Sequence, residues 1–334
     1  MGEELGWRHG DADGGRPTHL KYTTVTGFFL QDDPTTDPST FDYTKVNLGL
    51  INRTYPTDEL FDPHGRRMQW ERFAYYVDSL NRECGGGVAY KVLIIGRHGE
   101  GYHNVAEAHY GTEAWDCYWS LLDGDGTLVW DDAELTPIGR DQAQIAHDFW
   151  STALTVAKIP APESYYSSPL QRCIQTANVT FDGLDLPATR PFKPVVKELL
   201  RESIGVHTCD RRHPKSWISA NYPSVSFESD FPDLDPLWKA DERETFSARV
   251  VRMAELLDEV FEGDGNTWIS FSSHSGAIGA TLEALGHRGF GLTTGGVIPV
   301  LVRAEVMRGE RRGRGEAPTR PPECTVNPGR MAKV

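Results

Sequence analysis

The chain has 334 residues, room for one large domain or two modest ones and ample for a packed core. Its hydrophobic share of 39% is ordinary, which excludes a membrane-embedded or largely disordered chain. A net charge of −14 argues against general nucleic-acid binding, so any anion site must be a local basic focus in an acidic protein.

No apolar run approaches the roughly eighteen residues of a spanning helix, so no membrane partner is expected. The opening Met1-Gly-Glu-Glu-Leu-Gly-Trp-Arg-His9 has no apolar core for a signal peptide, and Gly6 stands where myristoylation wants Ser or Thr. Cys84, Cys117, Cys173, Cys209 and Cys324 are odd in number, scattered and without CxxC spacing. That pattern argues against a disulfide framework or a zinc site and predicts reduced thiols in a cytoplasmic protein. The sequons Asn52-Arg-Thr54 and Asn178-Val-Thr180 read as chance on that view.

In chain order, residues 1–20 are polar, Gly-rich and charged and predict a mobile arm. Residues 21–90 carry apolar clusters at Gly27-Phe-Phe-Leu30 and Leu48-Gly-Leu-Ile51, too few for an independent core. They predict an extension packed on a main domain over 91–305. Trp70, Phe73, Val77 and Leu80 share a face of one helix. The β-branched run Val92-Leu-Ile-Ile95 predicts a buried strand of a parallel sheet. A polar turn follows, with Arg97, His98, Glu100 and His103, and Asn104 opens a helix with Glu107 as capping-box partner. The aromatic stretch around Trp115 and Trp119 predicts either a pocket rim or an ordinary buried cluster.

Thr136 caps the next helix, with Pro137 at its first position, and Ile138, Gln142, Ile145 and Phe149 recur at helical spacing. Ser164-Tyr-Tyr166 is a short strand. Ser168, Pro169 and Gln171 then read as a helix start that places Arg172 in the first turn, beside free backbone N–H groups. Pro194 to Leu200 reads as a strand and 213–240 as an insertion loop able to set substrate range. A helix runs from Asp241 to Phe261 with Phe246, Val250, Met253, Leu257, Val260 and Phe261 on one face. Thr267 to Ser272 is a strand ending at Ser273-His274-Ser275-Gly276. Gly296 to Val302 is the last strand, where Pro299 favours an edge or irregular place. The Arg-, Gly- and Pro-rich segment 306–334 predicts a disordered tail.

Arg97 and His98 thus fall just past the carboxyl end of a strand, where open α/β sheets bind ligands. A neutral imidazole at His98 could attack a phosphoryl group and form a covalent intermediate that water later cleaves. Arg97 would hold phosphoryl oxygens by charge-assisted hydrogen bonds. His103 and Asn104 are candidate contacts to phosphate or substrate, Asn104 with the alternative of serving only as a cap. His207, Cys209 and Asp210 match no standard zinc spacing, so no metal is expected there. Arg211 or Arg212 could meet a second anionic group or partner the loop that follows.

Arg97-His98-Gly-Glu100, Ser168-Pro-Leu-Gln-Arg172, Leu200-Arg-Glu202 and Ser273-His274-Ser-Gly276 occur in the order seen in the histidine phosphatase, or phosphoglycerate-mutase-like, superfamily. The chain resembles that superfamily over roughly Val92 to Val302. Gly96-Arg-His-Gly-Glu-Gly-Tyr-His-Asn104 and the upstream Thr26-Gly-Phe-Phe-Leu-Gln-Asp-Asp33 are most similar to its fungal phosphomutase-like branch. The resemblance implies a three-layer α/β/α sandwich with a mostly parallel central sheet. It implies Arg172 as the second phosphate-binding arginine, a protonated His274 beside the phosphate, and Glu202 as proton donor, with Glu198 as rival. Ser275 stands where many members have Gly and is counted among the substrate contacts. No cofactor is implied. The expected activity is hydrolysis of a small phosphorylated substrate through phosphohistidine, with a mutase, a phospho-ligand binder or a biosynthetic enzyme on a phosphorylated intermediate as alternatives.

Overall fold

Side chains of a strand alternate between faces, so a run that is apolar at every position must be covered on both. A computed structural model, which describes residues 17–311, 313 and 315–325, shows this for Val92-Leu-Ile-Ile95. Val92 and Ile94 pack with Trp70, Phe73, Trp150 and Phe181, whereas Leu93 and Ile95 pack with Leu257, Phe261 and Ile278. The strands are β1 (Thr18–Thr24), β2 (Val88–Arg97), β3 (Ser164–Ser167), β4 (Pro194–Val196), β5 (Ser226–Phe227), β6 (Trp268–Ser273) and β7 (Val297–Arg308). They form one sheet in the order β1-β7-β2-β6-β3-β4-β5. From β2 to β5 every pairing is parallel, and β7 runs antiparallel to both β1 and β2.

The helices are α1 (Asp58–Phe61), α2 (Gln69–Glu83), α3 (Tyr102–Tyr110), α4 (Thr112–Cys117), α5 (Pro137–Thr152), α6 (Gln171–Phe181), α7 (Lys215–Asn221), α8 (Phe246–Gly263) and α9 (Ser275–Ala284). α8 and α9 cover one face of the sheet, and α2, α5 and α6 cover the other. Phe28, Phe29, Tyr43, Leu48 and Tyr55 share the core of α2 and the sheet. Trp115, Trp119 and Trp130 form a separate buried cluster with Ala106 and Cys209.

Several local expectations shift. The buried face of α5 is Gly139, Ala143, Ala146 and Trp150, one residue along from the expected one, and Ile138 and Ile145 are 57% and 54% exposed. Close backbone approach at Gly139 selects the face with small residues, and hydropathy alone cannot see that. β4 stops at Val196. α8 starts at Phe246 behind the cap Thr245, because Glu244 is drawn into ion pairs with Arg249 and Arg252. Pro299 sits inside the sheet order, but β1 has ended by the β7 position Val302. The side of Pro299 that lacks an N–H faces no strand there, and its carbonyl accepts from the Gln31 side chain.

Both termini depart from the flexible reading. Part of the expected amino-terminal arm is strand β1, and residues 1–16 lie outside the described residues. β7 continues to Arg308. Beyond it Thr319 exchanges backbone hydrogen bonds of 2.7 and 2.9 Å with Arg243. Residues 312, 314 and 326–334 of the expected disordered tail lie outside the described residues.

The expectation that all cysteines are reduced is corrected, since Cys117 and Cys324 form a disulfide across a sequence separation of 207. Spacing motifs register near neighbours only, and this pair meets because the tail returns to α4. One support for a cytoplasmic location is thereby lost. Among the described residues, no helix is long and apolar enough to cross a membrane. Cys117→Ser is expected to lower the melting midpoint by on the order of 5–10 °C under non-reducing conditions. Calorimetry of wild type with and without reductant checks this, and reductant should have no effect on the variant.

Candidate active site

Parallel strands deliver their carboxyl ends to one edge of the sheet. In the β2–β6 register Arg97 lies opposite Ser273, so the next residues, His98 and His274, leave the sheet side by side. Their ring centroids are 5.1 Å apart, and the His98 N–H donates to the Ser273 carbonyl at 2.9 Å. β3, paired with β6, ends at Ser167 and leads into α6 with Arg172 in its first turn. The segment after β4 supplies Glu202. Four neighbouring strands therefore converge on one place.

His98 Nδ1 lies 2.7 Å from the Gly99 carbonyl. A carbonyl can only accept, so Nδ1 carries the proton and Nε2 keeps a free lone pair. Burial, then Arg172 and Arg97, hold the imidazole well below its ordinary pKa, so it is neutral near pH 7. His103, whose ring centroid is 5.3 Å from that of His98, is held neutral chiefly by burial and Arg172. The same causes act on His274, which corrects the expectation of an imidazolium there in the free pocket.

Arg172 donates from Nη1 to the Cys209 carbonyl at 2.6 Å and from Nη2 to Asp210 Oδ1 at 2.9 Å. Arg97 donates from Nη1 to the Leu292 carbonyl at 2.7 Å. Arg97 Nε, Arg172 Nε and His103 Nδ1 are buried and have no hydrogen-bond partner among the described residues. Unmet donors on guanidinium groups are costly unless an anion meets them, and a phosphoryl group supplies several acceptor oxygens at once.

Glu202 Oε2 accepts from the Gly276 N–H at 2.8 Å, and Oε1 accepts from the Ser203 N–H at 3.0 Å and lies 3.6 Å from Arg249 Nη1. A side chain on Gly276 would begin 2.2 Å from Glu202 Oε1, so only glycine lets the carboxylate reach the start of α9. Glu198 is instead committed to Arg201 and Arg212, at 2.8 Å each. The structure thus brings Glu202 to the end of α9 that carries His274 and leaves Glu198 in a buried ion-pair network.

Histidines, arginines and one glutamate thus gather at the carboxyl edge of the sheet. Residues 124–296 match the model of the histidine phosphatase superfamily (branch 1). The chain belongs to the histidine phosphatase superfamily. It is 52% identical over 286 residues to a protein of Arthroderma benhamiae named "Probable phosphoglycerate mutase", covering 86% of this chain and 85% of that one. It is 35% identical to "Phosphomutase-like protein 3" of Candida albicans, over 85% of this chain and 81% of the relative. A Saccharomyces cerevisiae protein, also named a "Probable phosphoglycerate mutase", is 38% identical over 66% of this chain and 81% of its own. The superfamily match begins downstream of Arg97 and His98, so those two stand on the geometry above.

Other expected histidine phosphatase contacts fall differently. Arg211 pairs with Asp123 and Asp131, each at 2.9 Å and partly exposed, which keeps it out of the cluster. Arg212 does partner the following loop, through the Pro232, Asp233 and Leu234 carbonyls. Asn104 caps the helix from its third position and not as the N-cap itself, which is Gly101. α3 opens at Tyr102, and Asn104 Oδ1 reaches back to the Gly101 N–H at 3.0 Å. Ser275 is exposed at the first position of α9. Ser168 is not the cap of α6, which starts at Gln171, and its Oγ lies 2.8 Å from His274 Nε2.

Ligand atoms of His207, Cys209 and Asp210 lie within 4.8 Å of one another. Asp210 already pairs with Arg172 and Arg243, at 2.9 and 3.1 Å, so a cation there would face two guanidinium charges and the donor set does not fit one.

Sequence reasoning missed Asp210 and Arg249, because a charged partner far along the chain leaves no periodic signal. Gly139, in the first turn of α5, supports the site from outside it. A Cβ on Gly139 would sit 2.0 Å from the Glu100 carbonyl, in the loop that carries His98. Gly139→Ala is therefore expected to lower kcat/KM for an aryl phosphate by about tenfold or more, through displacement of His98. Steady-state kinetics beside a circular dichroism melt tests this, and a folded variant with wild-type kinetics would contradict it.

Proposed function

We propose that the protein is a metal-independent phosphomonoester hydrolase that works through phosphohistidine on a small phosphorylated metabolite. The observation that carries this reading is the fixed tautomer of His98, which leaves Nε2 free on a buried imidazole that feels the charges of Arg172 and Arg97, each with a buried unpaired Nε–H. His98 Nε2 attacks phosphorus in line. Arg97, Arg172 and His274 hold the phosphoryl oxygens, and Glu202 gives its proton to the departing alkoxide. Glu202, now a carboxylate, takes a proton from water as the water oxygen attacks the phosphohistidine. Phosphate leaves and His98 returns to its neutral form. His103, Asn104 and Ser275 are candidate contacts to the substrate, and the segment 213–240 sets its size.

A mutase returns the phosphoryl group to a second hydroxyl instead of water and uses the same residues. The names of the relatives at 52% and 38% identity favour that reading. Incubation with phosphoglycerate, with and without bisphosphoglycerate and with EDTA throughout, separates the two. Release of inorganic phosphate in both conditions is expected. Isomerisation that depends on bisphosphoglycerate, with little phosphate release, would overturn hydrolysis in favour of the mutase.

A further inference from the structure

Glu202 must act twice, as an acid and then as a base, and its surroundings bear unequally on the two steps. Its contacts are N–H donors and cations: Gly276 N–H at the start of α9, Ser203 N–H, and Arg249 of α8. Among the described residues, its charge is also felt by the Arg97 guanidinium from β2 and the buried thiols of Cys173 and Cys209. Burial pushes both thiols up, so they are uncharged.

Arg249 could be read as a plain structural partner of Glu244, whose Oε2 lies 3.3 Å from its Nε. The local charges argue otherwise. Arg252 already holds both oxygens of Glu244, with Nε to Oε1 at 2.7 Å and Nη2 to Oε2 at 2.6 Å. Arg252 thus meets both oxygens of Glu244 and Arg249 Nε shares Oε2 with it, so Arg249 bridges the two carboxylates, with Nη1 3.6 Å from Glu202 Oε1. Arg252 also donates from Nη2 to the Glu202 carbonyl at 2.8 Å, which fixes the backbone beneath the pair. A Cβ on Gly276 would fall 2.2 Å from Glu202 Oε1 and 2.4 Å from Arg249 Nη1. The start of α9 is therefore shaped to admit the two groups together.

Resting on the proposed hydrolytic reading, we infer that Arg249 is a positioning residue for Glu202, holding it as the oriented carboxylate that takes a proton from water in the second half of the reaction. Arg249 touches Glu202 and not the reacting phosphorus. It favours the water-activating state over the proton-donating state. Its removal should therefore slow cleavage of phosphohistidine more than formation of phosphohistidine. The enzyme then suits leaving groups that need little protonation more than simple alkoxides.

The test compares wild type, Arg249→Met and Arg249→Lys, each first shown to be folded by its thermal midpoint. The carboxyl carbon resonance of Glu202, assigned by its loss in Glu202→Gln, is recorded at about pH 7 in protein labelled at glutamate carboxyl carbons. In Arg249→Met the resonance should move and broaden as the side chain loses its fixed orientation, and Arg249→Lys should restore most of it. An unmoved resonance in folded Arg249→Met would overturn the inference. In acid-sensitive trapping during turnover of an aryl phosphate, the fraction of phosphoenzyme should rise several-fold in Arg249→Met, and an unchanged fraction would remove the assignment to the second step. If wild type forms no phosphohistidine, the hydrolytic reading fails by itself, while the Glu202 resonance still decides whether Arg249 holds the carboxylate.

Discussion

His98→Ala should lose aryl phosphatase turnover by about a thousandfold or more and trap no acid-labile label on the protein. The imidazole is the group in the cluster with a free nucleophilic lone pair whose orientation a backbone carbonyl fixes. Its replacement leaves the guanidinium donors in place, so substrate or inorganic phosphate should still bind with a Kd near that of wild type. Binding retained with turnover lost separates a nucleophile from an anion-binding residue. Glu202→Gln should behave differently, with a loss of about 10²–10⁴-fold on alkyl phosphates and a smaller loss on aryl phosphates, whose leaving groups need little help from an acid. Assays of all three proteins with EDTA present, followed by label trapping, check this. Near-wild-type turnover in His98→Ala would remove the phosphohistidine mechanism altogether.

Asp210→Asn is expected to cost about 3–5 kcal/mol of stability, because it leaves Arg172 buried without its counter-charge. Asp210 lies between Arg172 and Arg243, and the side chains of Asp210 and Arg172 are almost wholly buried. Burial alone would push its carboxyl up, but Arg243 and Arg172 together hold it below the ordinary carboxylate range. Its contribution is therefore fully present above the unfolded value near pH 4 and is lost as pH falls through the lower folded value. The three pocket histidines act at higher pH. Their folded pKa values are depressed, so below about pH 6.5 the unfolded chain binds protons that the pocket refuses, and stability declines as pH falls from there. Urea titrations at several pH values test both. Asp210→Asn should show a lower midpoint at pH 7 and a weaker pH dependence at the acid end. It should also raise KM, since Arg172 loses the group that aims it.

The features that were legible in the sequence are those carried by adjacent residues. A strand, a polar turn and a helix start lie within about fifteen residues around His98, and the same pattern recurs around His274, so local chemistry revealed both. Glu202 was separable from Glu198 only through the family motif, since the Arg201 and Arg212 pairs that occupy Glu198 are tertiary contacts. Arg211 misled for the converse reason. A basic residue beside a predicted site reads as an anion ligand until Asp123 and Asp131, some eighty residues upstream, are seen to hold it. The face of α5 was misassigned because backbone approach at Gly139 outweighed the burial of Ile138 and Ile145. The disulfide and the returning tail left no local trace of any kind.

The bond between Cys117 and Cys324 closes a covalent ring that contains Arg172, Glu202 and His274 and leaves Arg97 and His98 on the strand outside it. A protease that cuts within the ring, for instance at Leu234, which is 70% exposed, makes two fragments that migrate as one species until a reductant is added. A cut between His98 and Cys117 instead parts His98 from the rest of the pocket with no covalent link remaining. A nicked form therefore keeps the pocket residues tied together when it is cut inside the ring or ahead of Arg97, and loses His98 outright when it is cut in the short stretch between His98 and Cys117.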